Sequence, residues 1–144
     1  MLIEAVDLAY LAGLLDADGS ISLNKKERIN KKKSNVITYW PCVQLSQKEL
    51  SAIDWIAESE GRSIYSGHPN SPLAQPETIM HKIMWQGESA IGLIERILPF
   101  LRIKAMQAST VAEYWEKRKQ LSPEMKELYC QQVRGLNGRR FKGE

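Results

Sequence analysis

The sequence has 144 residues, of which 43% are hydrophobic and 26% charged, with a formal net charge of +3. That length suits one domain, and the apolar content can bury a core, which excludes a disordered chain. No apolar run is long enough for a membrane span, and residues 1–5 lack the basic start of a secretory signal. The expectation is a soluble intracellular protein of the cytoplasm, nucleoid or an organelle matrix, neither membrane-bound nor secreted. Cys42 and Cys130 match no disulfide, zinc or redox spacing and read as ordinary thiols. Residues 25–33 hold six basic side chains against one acid, and the tail adds Arg134, Arg139, Arg140 and Lys142. Such clusters suit a polyanion, with a solvated loop and tail as the alternative on charge alone.

In chain order, residues 5–17 carry Leu8, Leu11, Leu14 and Leu15 at helical spacing, and Gly19 is placed to end that helix. Residues 19–25 alternate as a half-buried strand, with Ile21 and Leu23 on one side and Ser20, Ser22 and Asn24 on the other. A basic loop leads to a second strand over 35–46, rich in Val, Ile, Thr, Tyr and Trp, in which Pro41 suggests an edge position or a bulge. Ser46, with Glu49 three residues on, predicts a capping box for a helix starting near Lys48 and ended by Gly61. Short strands follow at 63–66 and 78–86, separated by a turn-rich stretch over 67–72. Helices are expected at 89–98, 103–119 and 123–135, the last with Ser122 as N-cap and Pro123 at its first position. The expected fold class is α+β in the order αββαββα plus C-terminal helices. It forms a single domain over 1–144, with a core at about 5–118 and a C-terminal helix and basic tail over 119–144.

The first helix has two unusual features. Ala9, Gly13 and Ala17 recur every four residues, leaving one stripe nearly bare. A glycine inside a helix costs about 1 kcal/mol relative to alanine. Either a second backbone approaches this stripe closely, or the helix packs tightly on its own sheet. The other feature is Asp16 and Asp18 in the last turn, where the partial negative charge of the helix end disfavours acids. A cation held between the two carboxylates and nearby carbonyl oxygens fits that placement, and oxygen-only ligation suits Mg²⁺. The alternative is a solvated acidic turn.

Residues 11–19 read LAGLLDADG, which resembles the LAGLIDADG signature of homing endonucleases with Leu15 in place of Ile. Residues 44–48 (QLSQK) resemble the glutamine-bearing end of that family's second strand, and 98–108 (LPFLRIKAMQA) resemble a further family segment. The element order matches as well, so the resemblance covers most of the chain to about Glu116. It implies a saddle-shaped antiparallel sheet and a metal-dependent, site-specific double-strand DNA endonuclease. By the same resemblance Asp18 and the Ala17 carbonyl hold the metal, Mg²⁺ with Mn²⁺ as a substitute, while Asp16 has a structural role at the helix end. Gln47 orients the water network and Lys104 sits near the scissile phosphate. Ala9, Gly13 and Ala17 pack two motif helices together. A single motif implies a C2 homodimer on a long, near-palindromic target, cut with staggered 3′ overhangs. Intron or intein mobility follows from family alone, as do the rival roles of an intron-RNA maturase or a non-cleaving DNA binder.

In such a saddle, alternate strand residues face the major groove. Alternation assigns Ser22, Asn24 and Lys26 to that face, with Thr38, Trp40, Cys42 and Gln44 on the second strand. Arg28, Lys31, Lys32 and Lys33 extend toward phosphates or flanking bases. Ser66, His68 and Lys82 are the candidates from the later strands, whose register the pattern leaves open. Trp40 as a packing residue would shift its strand by one and reverse the faces.

Overall fold

A computed structural model describes residues 1–69, 73, 75 and 77–138. Arg139, Arg140 and Lys142 of the basic tail, and Asn70 to Pro72 of the turn-rich stretch, lie outside the described residues. The elements run α1 (Ala5–Asp18), β1 (Gly19–Ile29), β2 (Asn35–Gln47), α2 (Leu50–Glu60), β3 (Tyr65–Gly67), β4 (Met80–Gln86), α3 (Glu88–Ile97), α4 (Ala105–Lys117) and α5 (Pro123–Leu136). The strands form one antiparallel sheet in the order β1-β2-β4-β3.

The charged run after Lys25 was expected to leave the sheet, but β1 continues to Ile29. Arg28 pairs with Val36 and Ile29 with Asn35, so the basic loop shrinks to residues 30–34. Cross-strand pairing outweighs the poor strand preference of Lys and Glu. The Asn30 side chain organises this loop by accepting from the Lys32 and Ser34 N–H groups. Pro41 lies neither on an edge strand nor at a bulge, because β2 is central and its pairing with β1 is continuous. The missing N–H is harmless there. The β2–β4 ladder begins at Cys42, and the Pro41 carbonyl accepts from Gly87 N beyond the end of β4.

Ser46 stays in β2, paired with Lys82, and therefore does not cap α2. Glu49 is the N-cap instead, its carboxylate accepting from Ser51 N, and Gly61 ends the helix as expected. Ser122 caps α5 through Met125 N.

One sheet face is buried under helices through Ile21, Leu23, Tyr39, Val43, Leu45, Ile83 and Trp85, which pack with Leu8, Leu11, Leu15, Ile53, Leu93 and Val111. Each large aliphatic chain so buried contributes about 1.5–3 kcal/mol. The core continues past the expected limit near 118, since Cys130 and Val133 of α5 belong to it. Asn137 Nδ2 donates to the Ile21 carbonyl at 2.9 Å, and Tyr39 Oη donates to Glu127, so α5 is bonded to both β1 and β2.

At the end of α1 remote from the aspartates, Glu60 is a buried hub. Its side chain is 2% exposed and accepts from Leu2 N, Trp85 Nε1 and two Arg96 nitrogens, with Arg96 Nη2 at 2.8 Å. Burial alone would raise its pKa, but the Arg96 hydrogen bonds and charge, with Leu2 and Trp85, hold it below the ordinary 4.5. Glu60→Ala strands a partly buried guanidinium and an indole N–H, so urea unfolding is expected to show a loss of about 3–5 kcal/mol. Because the folded pKa is the lower one, the wild-type contribution is complete above the unfolded value of 4.5 and fades as pH falls through the folded value. Glu60→Gln should lose that acid dependence.

Candidate active site and nucleic-acid face

The last turn of α1 sends its two aspartates in different directions. Asp16 is buried and Asp18 exposed. Asp16 Oδ2 accepts from Arg102 N at 2.9 Å, and Oδ1 accepts from Ile103 N at 3.2 Å and Lys104 N at 2.9 Å. This explains an acid at the C-terminal end of one helix: the carboxylate faces the backbone N–H groups of the 102–104 segment that leads into α4. Burial would raise the Asp16 pKa, yet the backbone bonds from Arg102, Lys104 and Ile103, together with the Lys104 charge, hold it below its ordinary value. A cation shared between Asp16 and Asp18 does not fit, since both Asp16 oxygens already serve these N–H groups.

Asp18 Oδ2 accepts from Gln47 Nε2 at 3.1 Å. The register explains how Gln47 gets there. It follows Val43 and Leu45 on the helix-facing side of β2, at the strand end where α1 arrives. Lys104 Nζ donates to the Asp16 carbonyl at 2.7 Å. Asp18, Gln47 and Lys104, distant in sequence, therefore meet around the last turn of α1. Gly19 makes the exit possible, because a Cβ there would lie 2.8 Å from Leu15 Cα and 3.0 Å from the Gln44 carbonyl oxygen. Its backbone is extended, so close approach rather than special dihedrals demands glycine.

Among the described residues no group of three or more His, Cys, Asp and Glu side chains could hold a metal ion. An exposed carboxylate followed by Gly19, with the Ala17 carbonyl at the helix end, is an oxygen-only donor set that suits Mg²⁺.

The other side of α1 is uncovered. Leu8, Leu11, Ala12 and Leu15 face the core, whereas Ala9, Gly13 and Ala17 are exposed, flanked by Val6 at 81% and Tyr10 at 52%. A Cβ on Gly13 would meet nothing within 4 Å. Tight packing of the stripe on its own sheet is thereby excluded. A helix with apolar residues on both sides belongs in an interior, and among the described residues only one side of α1 is covered.

On the open sheet face, cross-strand partners share a side, so Ser22 lies with Cys42, Asn24 with Trp40, Lys26 with Thr38 and Ser20 with Gln44. The strand is not shifted, because Tyr39 is buried on the helix side. Trp40 nonetheless packs, edge-on to Trp115 with ring centroids 5.7 Å apart and against Gly87, whose φ of 61° and lack of a Cβ both suit it. Cys42 is 3% exposed and sheltered by Asn24 and Gln86, which removes its thiol from the surface; burial raises its pKa. Arg28 and Lys31 to Lys33 are exposed at the hairpin end.

Lys82 pairs with Ser46 and Tyr65, and Met84 and Gln86 pair with Gln44 and Cys42, so all of these join the open face. Ser66 falls on the opposite face, across from His81, with its Oγ 2.7 Å from His81 Nδ1. His68 sits after β3 and donates from Nδ1 to the Thr78 carbonyl at 2.9 Å. Ser46, Tyr65, Met84 and Gln86 were missed. Alternation from Lys82 would have reached Met84 and Gln86, whereas β3 has three residues and carries no periodic signal.

No protein-family model matches the chain, and no curated protein matches it in sequence. Solved structures do. The homing endonuclease I-CvuI, crystallised in complex with a DNA target in the presence of Mg, shares 20% identity with a TM-score of 0.69, covering 96% of this chain and 84% of that one. The archaeal intron-encoded homing endonuclease I-Vdi141I, complexed with DNA, shares 17% identity with a TM-score of 0.64, covering 96% and 87%. A double mutant of I-SmaMI is matched at 17% identity and a TM-score of 0.58 over 99% of this chain and 48% of that one. With its four-stranded antiparallel sheet, its helix-covered face and the aspartate-tipped α1, the chain has the fold of the LAGLIDADG homing endonucleases.

Proposed function

We propose that this protein is a site-specific double-strand DNA endonuclease, working as a C2 homodimer with Mg²⁺ on a long, near-palindromic target and leaving staggered 3′ overhangs. The observation that carries this reading is the meeting of Asp18, Gln47 and Lys104 at the tip of a helix whose small-residue side is bare. Two such helices, side by side across a two-fold axis, would bring two Asp18 carboxylates together. Neighbours solved with DNA, one of them in the presence of Mg, support the substrate and the metal.

Hydrolysis requires a water oxygen to bond to phosphorus, the bond to the 3′ oxygen to break, and a proton to reach that oxygen. Bound Mg²⁺ would supply charge stabilisation and lower the pKa of water. Asp18 and the Ala17 carbonyl would hold it. Gln47 donates one amide hydrogen to Asp18, leaving its amide oxygen to accept from the attacking water and aim it. The Lys104 ammonium opposes the negative charge that grows on the phosphoryl oxygens. Asn24, Lys26, Gln44 and Lys82 on the open face are the base and phosphate contacts of this reading, with Thr38, Ser22, Arg28 and the Lys31 to Lys33 loop.

The direct test is a cleavage selection on a randomised near-palindromic duplex library with Mg²⁺, sequencing the cut ends. Short staggered cuts about a two-fold axis are expected. Intact DNA together with metal-independent binding of structured RNA would replace this reading with splicing assistance.

A further inference from the structure

We propose that Asp16 is the residue that positions Lys104, pinning both its main chain and its ammonium group. The two ends of Lys104 bond to this one residue: its backbone N–H reaches Asp16 Oδ1 at 2.9 Å, and its Nζ reaches the Asp16 carbonyl at 2.7 Å. Two more N–H groups, from Arg102 and Ile103, lock the preceding chain to the same carboxylate. A lysine carries about 2 kcal/mol of rotamer entropy, so an unanchored ammonium spends little time in any one place. Here the anchor is a carbonyl of the last turn of α1, which attracts cations. Because Asp16 precedes Asp18 by two residues on the same helix, the position of the ammonium is fixed relative to the Asp18 carboxylate.

The effect on rate rests on the nuclease reading, whereas the coupling itself does not. In single-turnover cleavage, Asp16→Asn is expected to slow the reaction by about tenfold to a hundredfold, the scale on which small misplacements act. In a Lys104→Met background the same change should alter the rate by less than about twofold, because the group that Asp16 positions is gone. Equal slowing in both backgrounds would show a merely structural staple and overturn the proposal. In parallel, trace acylation of amines in the free protein, read by peptide mass spectrometry, compares Lys104 with exposed Lys119. Asp16→Asn should raise Lys104 labelling relative to Lys119 at least about threefold, because the 102–104 backbone is no longer held by the carboxylate and the Nζ contact to the residue-16 carbonyl loosens with it. Unchanged labelling overturns the proposal, even in a protein that cuts no DNA. Should Asp16→Asn fail to fold, Asp16→Ser, which keeps one acceptor oxygen, carries both measurements.

Discussion

Asp18→Asn is expected to abolish the proposed cleavage while leaving folding and DNA binding intact. The substitution keeps the shape of the side chain and one oxygen, but it removes the charge that would hold a divalent cation. Metal-derived charge stabilisation is worth several kcal/mol in such reactions, which corresponds to a rate loss of about a thousandfold or more. Stability should barely change, since Asp18 is exposed and, among the described residues, its side chain is bonded only to Gln47. This separates it from Asp16, whose carboxylate holds three backbone N–H groups. The check is single-turnover cleavage with Mg²⁺ alongside a binding titration with Ca²⁺ and a thermal melt. Turnover within tenfold of wild type would remove Asp18 from the metal site.

Gly13→Leu should disrupt the proposed dimer and leave the monomer folded. In the isolated chain the new side chain has room, because a Cβ at this position meets nothing within 4 Å. Its helix propensity also exceeds that of glycine, so the monomer gains up to about 1 kcal/mol. Between two close-packed helices the same side chain is an obstruction. Overpacking costs about 1–3 kcal/mol per site, and two-fold symmetry applies it twice, weakening association by about 30- to 20,000-fold. Sedimentation velocity across a concentration series, paired with circular dichroism, reads both halves of the expectation. A dimer of wild-type affinity would place the interface elsewhere.

Much of this was legible from local pattern. The leucine spacing of α1, Gly61 after α2 and the Ser122-Pro123 start of α5 are signals that span a few residues, and the folded chain keeps them. The alternation that puts Ser22, Asn24 and Lys26 opposite Ile21 and Leu23 is equally local. The errors came where a distant partner decided the outcome. Lys26 to Arg28 look like a loop until β2 pairs with them, and Ser46 looks like a cap until Lys82 claims it. Pro41 reads as an edge residue, and only the length of β4 explains how a central strand tolerates it. Trp40 and Cys42 fall on the expected face, yet Trp115 and Gln86 decide how much of each is exposed.

Gln47 and Lys104 were named only by the family resemblance, whereas the sequence by itself determined the helix–strand order and the small-residue stripe Ala9-Gly13-Ala17. Period and propensity act over neighbouring residues, so no partner is needed to see them. Only the tertiary structure decided that Asp16 turns inward while Asp18 turns out. Two acids of the same kind, two residues apart, differ because the N–H groups of residues 102–104, more than 80 positions away, lie against one of them and not the other.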